Sequence, residues 1–181
     1  MQTLVIHPHD ESTHFLKPIY ENIPNKTVIT GGVSKAEMCD LIDSYDRVMM
    51  MGHGSPWGLF SVGKFTDTTP YIIDHTMVYL LLQKQNSVFI WCNADQFVNR
   101  HQLKGLYSGM FISEVGEAMY CGLPNTPQDV VTESNDSFAT MLGNVIDKPI
   151  RDAYNEVKKQ YSLLAESNAV ALYNSNRLYL N

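Results

Sequence analysis

The chain of 181 residues contains 44% hydrophobic and 18% charged residues and carries a formal net charge of −6, which is typical of a globular protein with a sizeable core. The acidic balance, with no stripe of Lys and Arg to neutralise phosphates, excludes nucleic acid as a partner. No apolar stretch reaches the roughly 18 residues that span a bilayer, and the amino terminus lacks a basic, apolar leader. We therefore expect no membrane partner and a cytoplasmic location.

The first 110 or so residues alternate between strand-like and helix-like segments, which is typical of a parallel sheet covered by helices on both faces. Residues 3–7 and 26–30 are predicted as the first two strands. Ser34 and Glu37 form a capping box that begins a helix. Residues 47–51 are predicted as the third strand, apolar on both faces as central parallel strands usually are.

The middle of the chain continues this alternation. Residues 54–69, which contain Gly, Ser, Thr and aromatic residues, are predicted as a loop or short hairpin that walls a binding site. The other predicted elements are a helix at 74–82, the fourth strand at 87–91, a helix at 96–103, a fifth strand at 109–113 and a short helix at 114–121.

The carboxyl-terminal part is predicted to be mainly helical. Residues 127–166 carry spaced apolar residues, with a break expected at Pro149. Alternating apolar residues at 169–180 predict a last strand or a hairpin. Because no linker, repeat or low-complexity tract divides the chain, we interpret residues 1–181 as a single domain with its core at 3–122.

Two short motifs each follow a predicted buried strand. His53 and Gly54 follow the third strand, and Cys92 follows the fourth. The carboxyl ends of neighbouring parallel strands meet at one edge of a sheet, so we expect His53 and Cys92 to lie close together on adjacent strands. An imidazole can take the proton of a thiol and later protonate a leaving group, and nearby backbone amides can bind an oxyanion. The alternative is a core thiol beside an ordinary His-Gly turn.

The order strand, His-Gly, variable loop, helix, strand, Cys resembles the catalytic core of the caspase-like cysteine peptidases, which include caspases, gingipains, separase and the CHAT domains. In that family the histidine follows the third strand and the cysteine follows the fourth, as His53 and Cys92 do here. The segments GHGSPWGL at 52–59 and CNAD at 92–95 are most similar to CHAT and bacterial members. The resemblance covers residues 3–122 and rests on the order and placement of these motifs.

The resemblance implies a three-layer α/β/α sandwich with a mainly parallel sheet. It also implies a cysteine peptidase that cleaves a peptide or protein substrate through a thioester acyl-enzyme. Cys92 would attack the peptide carbonyl, His53 would act as acid and base, and the amides of Gly54 and Cys92 would form the oxyanion hole. No cofactor and no metal enter this chemistry.

Residues beside the dyad are candidates for substrate binding. Ser55 follows the His-Gly pair, and Trp91 precedes the cysteine. The family commonly has a small residue where Trp91 stands, so this indole would fill a pocket for a substrate side chain. Asp95 and Asp67 could select a basic substrate side chain by charge pairing, although an Asp near a strand end also caps helices.

Two other interpretations stay open. A non-catalytic member of the same fold would bind a partner or peptide in the cleft, and Trp91 supports this alternative. A flavodoxin-like ligand-binding domain shares the alternating pattern of strands and helices. However, Gly31 and Gly32 form neither a dinucleotide motif nor a phosphate-binding loop.

The other histidines and cysteines receive no catalytic role. His7, His9 and His14 could imitate a metal cluster, but the proline between the first two prevents regular spacing and no second ligand group is evident. A polar loop at a strand end is therefore expected. The three cysteines include no CxxC pair, which favours neither a disulfide framework nor a zinc site. Cys39 and Cys121 are interpreted as small buried hydrophobic residues.

Overall fold

The computed structural model describes residues 1–66 and 69–181. The strands in these residues are β1 (Thr3–Ile6), β2 (Lys26–Ile29), β3 (Arg47–Met51), β4 (Gly54–Ser55), β5 (Gly58–Phe60), β6 (Tyr71–Ile73), β7 (Val88–Ile90), β8 (Leu106–Ser108) and β9 (Leu178–Leu180). The α-helices are α1 (Pro18–Glu21), α2 (Lys35–Ser44), α3 (Val78–Leu81), α4 (Ala94–His101), α5 (Val115–Tyr120), α6 (Gln128–Gly143), α7 (Ile150–Leu164) and α8 (Ala169–Ser175). Two short 3-10 helices span Glu11–Leu16 and His75–Met77.

Six strands form the main sheet in the order β2-β1-β3-β7-β8-β9. The first five run parallel to their neighbours, and β9 pairs antiparallel with β8. The remaining strands, β4, β5 and β6, form a small antiparallel sheet. This small sheet begins at Gly54, three residues after the end of β3, and it contains the hairpin that the sequence allows in this region.

Alternate residues of the central strands face two separate hydrophobic cores. In β3, Met49 and Met51 pack with side chains of α1, α6, α7 and α8, whereas Val48 and Met50 pack with side chains of α2, α3 and α4. All four β3 side chains are fully buried. Helices therefore flank the mostly parallel six-stranded sheet on both faces, an α/β architecture compatible with the predicted three-layer sandwich.

Local sequence signals set several boundaries as predicted. Ser34 and Glu37 form the capping box at the start of α2, and Pro149 occupies the N-cap of α7, at the predicted break. Helix α4 begins at Ala94, two residues earlier than expected. None of the helices in the described part of the chain is both long and apolar enough to cross a membrane.

The fifth strand lies earlier than the sequence predicts. Residues 109–113 were expected to form it because they are apolar, but β8 is Leu106–Ser108. The backbone of Ile112 is instead bonded by a buried side chain: its amide donates to Asn174 Oδ1 at 2.8 Å, and Asn174 Nδ2 donates to its carbonyl at 2.9 Å. The side chain of Asn174 thus forms the backbone hydrogen bonds that a neighbouring strand would otherwise provide.

The tail also differs from the prediction of a strand or hairpin at 169–180. Most of it is helical, because the side chain of Asn168 caps α8 by accepting a hydrogen bond from the amide of Ala171 at 2.9 Å. The strand is limited to Leu178–Leu180. Val170, Ala171 and Asn174 are buried at helical spacing, which explains the apolar pattern without a strand.

Candidate active site

His53 and Cys92 follow adjacent strands of the main sheet. The last paired residues of β3 and β7 are Met51 and Ile90. His53 and Cys92 each lie two residues beyond these positions, so both leave the sheet at the same level of the same edge. The strand adjacency predicted from the sequence is present.

The ring of His53 is anchored by the turn that follows β1. Its Nε2 lies 2.7 Å from Ser12 Oγ and 3.6 Å from Asp10 Oδ1. The Ser12 hydroxyl donates to Asp10 Oδ1 at 2.6 Å, so it accepts from His53 and assigns the ring proton to Nε2. No described residue forms a hydrogen bond with Nδ1 of His53, and this nitrogen is therefore the basic one.

These three residues do not form a Ser-His-Asp triad. In a triad the serine and the carboxylate contact different nitrogens of the histidine. Here both Ser12 and Asp10 face Nε2. Asp10 is instead the N-cap of the 3-10 helix Glu11–Leu16, and the hydroxyl and amide of Ser12 lower the pKa of its carboxyl. The arrangement positions His53 without making Ser12 a nucleophile.

The thiol of Cys92 faces the segment that follows β8. Its sulfur lies 3.7 Å from the carbonyl oxygen of Phe111 and 3.8 Å from Glu117 Oε1. Burial, followed by the negative charge of Glu117, raises the pKa of the Cys92 thiol to about 12. The resting thiol is therefore protonated at neutral pH.

Glu117 also shapes the backbone around the thiol. Its Oε2 accepts hydrogen bonds from the amide of Ser113 at 2.7 Å and from the amide of Glu114 at 3.1 Å. As the third residue of α5, it forms half of a capping box with Glu114. The same carboxylate thus fixes the start of α5 and contacts Cys92.

Two cavities of very different size lie at this edge. A cavity of about 20 Å³ adjoins Cys92 and Gly52, which is about the space that one water needs. A cleft of about 360 Å³ lies beside it, between the 3-10 helix Glu11–Leu16 and α6. Phe15 and Ser113 line both spaces. A peptide side chain therefore fits the cleft, but not the space next to the sulfur.

The hairpin after His53 packs directly on Trp91. The indole Nε1 donates to the carbonyl of Ser55 at 3.1 Å, and a Cβ at Gly54 would lie 2.2 Å from Trp91 Cδ1. Only glycine fits at position 54. The Trp91 side chain is 2% exposed and lies between Phe89 and Phe97 in the core, so its ring is closed to a substrate in this structure.

The other candidate substrate-binding residues lie apart from the cleft lining. The hydroxyl of Ser55 is bonded to Tyr71 Oη at 3.0 Å and to the amide of Trp57 at 3.2 Å. Asp95 lies in the first turn of α4, whose N-cap is Asn93, so Asp95 does not cap this helix. Its Oδ1 is buried and has no hydrogen-bond partner within residues 1–66 and 69–181. Asp67 lies outside the described residues.

His7 has a structural role. It is 3% exposed at the end of β1, where Nδ1 lies 2.9 Å from Tyr20 Oη and Nε2 lies 3.1 Å from Thr13 Oγ1. Burial lowers the pKa of His7 to about 4. Cys39 and Cys121 are free and half-buried.

Ser12, Asp10 and Glu117 are site residues that the sequence motifs do not predict. Ser12 and Asp10 belong to the turn after β1, and Glu117 follows β8, so all three reach the same edge as His53 and Cys92. A sequence signal did exist, because the strand-end rule applies equally to β1 and β8. No protein-family model, curated protein or solved structure matches this chain.

Proposed function

We propose that the chain is a caspase-like cysteine peptidase, with Cys92 as nucleophile and His53 as acid and base. The observation that carries the proposal is the placement of these two residues, each two positions beyond the paired ends of β3 and β7. This placement is what a dyad that acts across one substrate atom needs.

The chemistry follows from the groups at the edge. The basic Nδ1 of His53 accepts the Cys92 proton, and the thiolate attacks the peptide carbonyl to form a thioester. The protonated imidazole then gives this proton to the leaving amine. Water hydrolyses the thioester, with His53 taking its proton and returning it to the sulfur. No described residue accepts a hydrogen bond from the Cys92 amide, so this N–H is available to the oxyanion together with Gly54.

The resting enzyme holds its nucleophile in the unreactive form. With its pKa raised to about 12, the Cys92 thiol is protonated in the resting enzyme at neutral pH, and the thiolate is the form that attacks. Activation therefore requires that substrate binding changes the buried surroundings of the sulfur, including a movement of Glu117 away from it. The contacts of Glu117 with Ser113 and Glu114 make such a movement a shift of the segment between β8 and α5.

The cleft suggests the class of peptide. Glu11, Glu114 and Asp136 line it, and no Lys or Arg does so in the described part of the chain. Complementary charge favours a basic substrate side chain. The charge preference expected for Asp95 and Asp67 is thus proposed for these three carboxylates instead.

The second candidate function is a caspase-like module that binds a peptide without cleaving it. Two observations favour this alternative. The cavity of about 20 Å³ beside Cys92 is too small for a substrate carbonyl, and the raised pKa of the thiol disfavours the thiolate that would attack it. The same cleft would then hold the bound peptide.

A labelling and turnover experiment distinguishes the peptidase from the peptide-binding module. An electrophilic peptide probe with a basic residue is applied to the wild type and to Cys92→Ala, His53→Ala, Cys39→Ala and Cys121→Ala, followed by peptide mapping and a hydrolysis assay. The peptidase predicts labelling at Cys92 and turnover that only the first two substitutions abolish. Turnover retained in Cys92→Ala contradicts the mechanism, and peptide binding by a wild type without turnover supports the binding module.

A further inference from the structure

Three side chains around the turn after β1 form a cluster with the composition of a metal site. His9, Glu11 and His14 each offer one ligand atom, and these atoms lie within 4.8 Å of one another. We propose that this cluster binds a divalent transition-metal ion of the zinc class. The proposal does not require peptidase activity, because the dyad takes no part in the site, although Glu11 also lines the cleft proposed for the peptide.

The local backbone explains why two of the ligands converge. Glu11 and His14 lie three residues apart in the 3-10 helix Glu11–Leu16. A 3-10 helix has three residues per turn, so side chains at these positions stand directly above each other. His14 Nδ1 lies 3.2 Å from Glu11 Oε2. Two ligand atoms on a tetrahedral zinc ion, each about 2.0–2.1 Å from the metal, are separated by about 3.3 Å.

The third ligand is held in place from outside the helix. The ring centroids of His9 and His14 are 5.3 Å apart. The amide of His9 donates to the carbonyl of Thr30 at 3.1 Å, which fixes this residue beside the end of β2. Gly63, at φ +87, packs so closely that a Cβ there would lie 3.1 Å from the carbonyl oxygen of His9. The backbone of His9 is therefore fixed before any ion binds.

The second ring nitrogen of His14 shows what else the site would need. His14 Nε2 is buried, and no described residue forms a hydrogen bond with it. Buried ring nitrogens normally have a partner. Nδ1 of the same ring faces Glu11, and a metal ion binds one nitrogen of a ring. With the ion at Nδ1, the Nε2 proton of His14 would be donated to an ordered water outside the coordination sphere.

The donor set indicates which ion would bind. Two imidazoles and one carboxylate suit zinc and its neighbours, whereas calcium and magnesium prefer sites built from oxygen ligands. Three protein ligands leave one tetrahedral position open to water or to an external group. The sequence pattern is His-x-Glu-x-x-His, in which Glu11 is the ligand that a search restricted to histidines overlooks.

The proposed metal ligands lie next to the residues that position His53. Asp10 and Ser12, which contact His53, lie between the proposed ligands along the chain. Glu11 also lines the cleft of about 360 Å³. An ion held here would therefore stiffen the turn that positions His53 and would occupy the rim of the cleft.

Calorimetric titration of the intact chain with Zn²⁺ tests the proposal. We expect one ion per chain, with affinity reduced by at least about tenfold in His9→Ala, Glu11→Gln and His14→Ala. The matched controls are His75→Ala and Glu21→Gln, at exposed positions elsewhere, and these should bind as the wild type does. His9 and Glu11 are themselves exposed, so their substitution leaves the core intact.

A spectrum of the Co²⁺-loaded chain identifies the donor atoms. Tetrahedral nitrogen and oxygen ligation without a thiolate charge-transfer band supports the cluster. A thiolate band, no binding by the wild type, or equal affinity in the wild type and the three ligand variants would overturn the proposal. Hydrolysis of peptides plays no part in these measurements, so a failed peptidase proposal leaves this test unchanged.

Discussion

Glu117 Oε1 lies 3.8 Å from Cys92 Sγ, while the other oxygen of this carboxylate accepts a hydrogen bond from the amide of Ser113 at 2.7 Å. One side chain therefore joins the candidate nucleophile to the segment that follows β8. A negative charge beside a thiol opposes formation of the thiolate. This contact makes Glu117 the first target for testing how the resting thiol is held.

Glu117→Gln is expected to increase the reactivity of Cys92. The substitution removes the negative charge and keeps one oxygen for the helix cap, so the thiol pKa falls but stays above its ordinary value because of burial. The rate of alkylation by iodoacetamide at pH 8 should rise by roughly threefold to tenfold, since one pKa unit is tenfold in thiolate. Peptide mapping assigns the label to Cys92.

Glu166→Gln serves as the control for this measurement, because it removes an exposed carboxylate far along the chain. Its alkylation rate should equal that of the wild type. An unchanged rate in Glu117→Gln would mean that burial alone sets the thiol pKa.

Ser12→Ala should change the proton position on His53. The hydroxyl that accepts from Nε2–H is lost, so the ring becomes free to hold its proton on either nitrogen. Nitrogen-15 NMR of the imidazole reports this as a shift from the Nε2–H form toward a mixture. Ser44→Ala, which removes a hydroxyl that donates to the carbonyl of Asp40, should leave the spectrum of His53 unchanged. The same His53 spectrum in both variants would argue against the positioning role of Ser12.

The buried His7 predicts a pH dependence of stability. Between pH 6.5 and about 4 the unfolded chain binds a proton that folded His7 does not accept, so the free energy of unfolding falls as pH decreases through this window. Below about pH 4 His7 is protonated in both the folded and the unfolded chain, so it lowers the free energy of unfolding no further. The full effect is about 3 kcal/mol, measured by urea unfolding at several pH values.

His7→Gln separates this effect from other titrations. The variant should be less stable at pH 7.5 but should lose stability less steeply toward pH 4, because its side chain does not titrate. His75→Gln, at an exposed position, should retain the slope of the wild type. Parallel slopes in His7→Gln and the wild type would assign the acid sensitivity to other groups.

Gly54→Ala should destabilise the protein by about 1–3 kcal/mol or more, because its methyl group would lie 2.2 Å from Trp91 and 2.7 Å from the carbonyl of Gly58. Gly116→Ala is the matched control, since no other described part of the chain lies within 4 Å of a Cβ at this helical position, apart from its own helix backbone and chain neighbours. That change should stabilise α5 by roughly 0.5–1 kcal/mol. Denaturant unfolding measures both, and equal stability of the two variants would contradict the packing described here.

The central part of the sheet could be predicted from sequence because its signals are local. Apolar runs and the Ser34 capping box locate β3 and α2, and the parallel arrangement then brings His53 and Cys92 to one edge. The position of the fifth strand could not be obtained in this way. Ile112 is as apolar as a strand residue, and only the distant Asn174 shows that its backbone is bonded by a side chain.

The immediate surroundings of the dyad depend on side-chain contacts between distant segments. Ser12 is 41 residues from His53, and Glu117 is 25 residues from Cys92. Neither partner has a sequence spacing that indicates the contact. Their convergence follows from the order β1-β3-β7-β8, which places four strand ends side by side, and from rotamers that no pattern of hydrophobicity encodes.

The packing of Trp91 against the hairpin also provides an optical reporter. The chain has two tryptophans: Trp57 is 61% exposed at the hairpin, whereas Trp91 is 2% exposed and donates its indole N–H to Ser55. In a Trp57→Phe background, all indole emission would come from the residue directly before Cys92. Loss of the Ser55 contact would admit water to this ring and shift its emission to longer wavelengths. Peptide binding could therefore be followed in real time without attaching a dye.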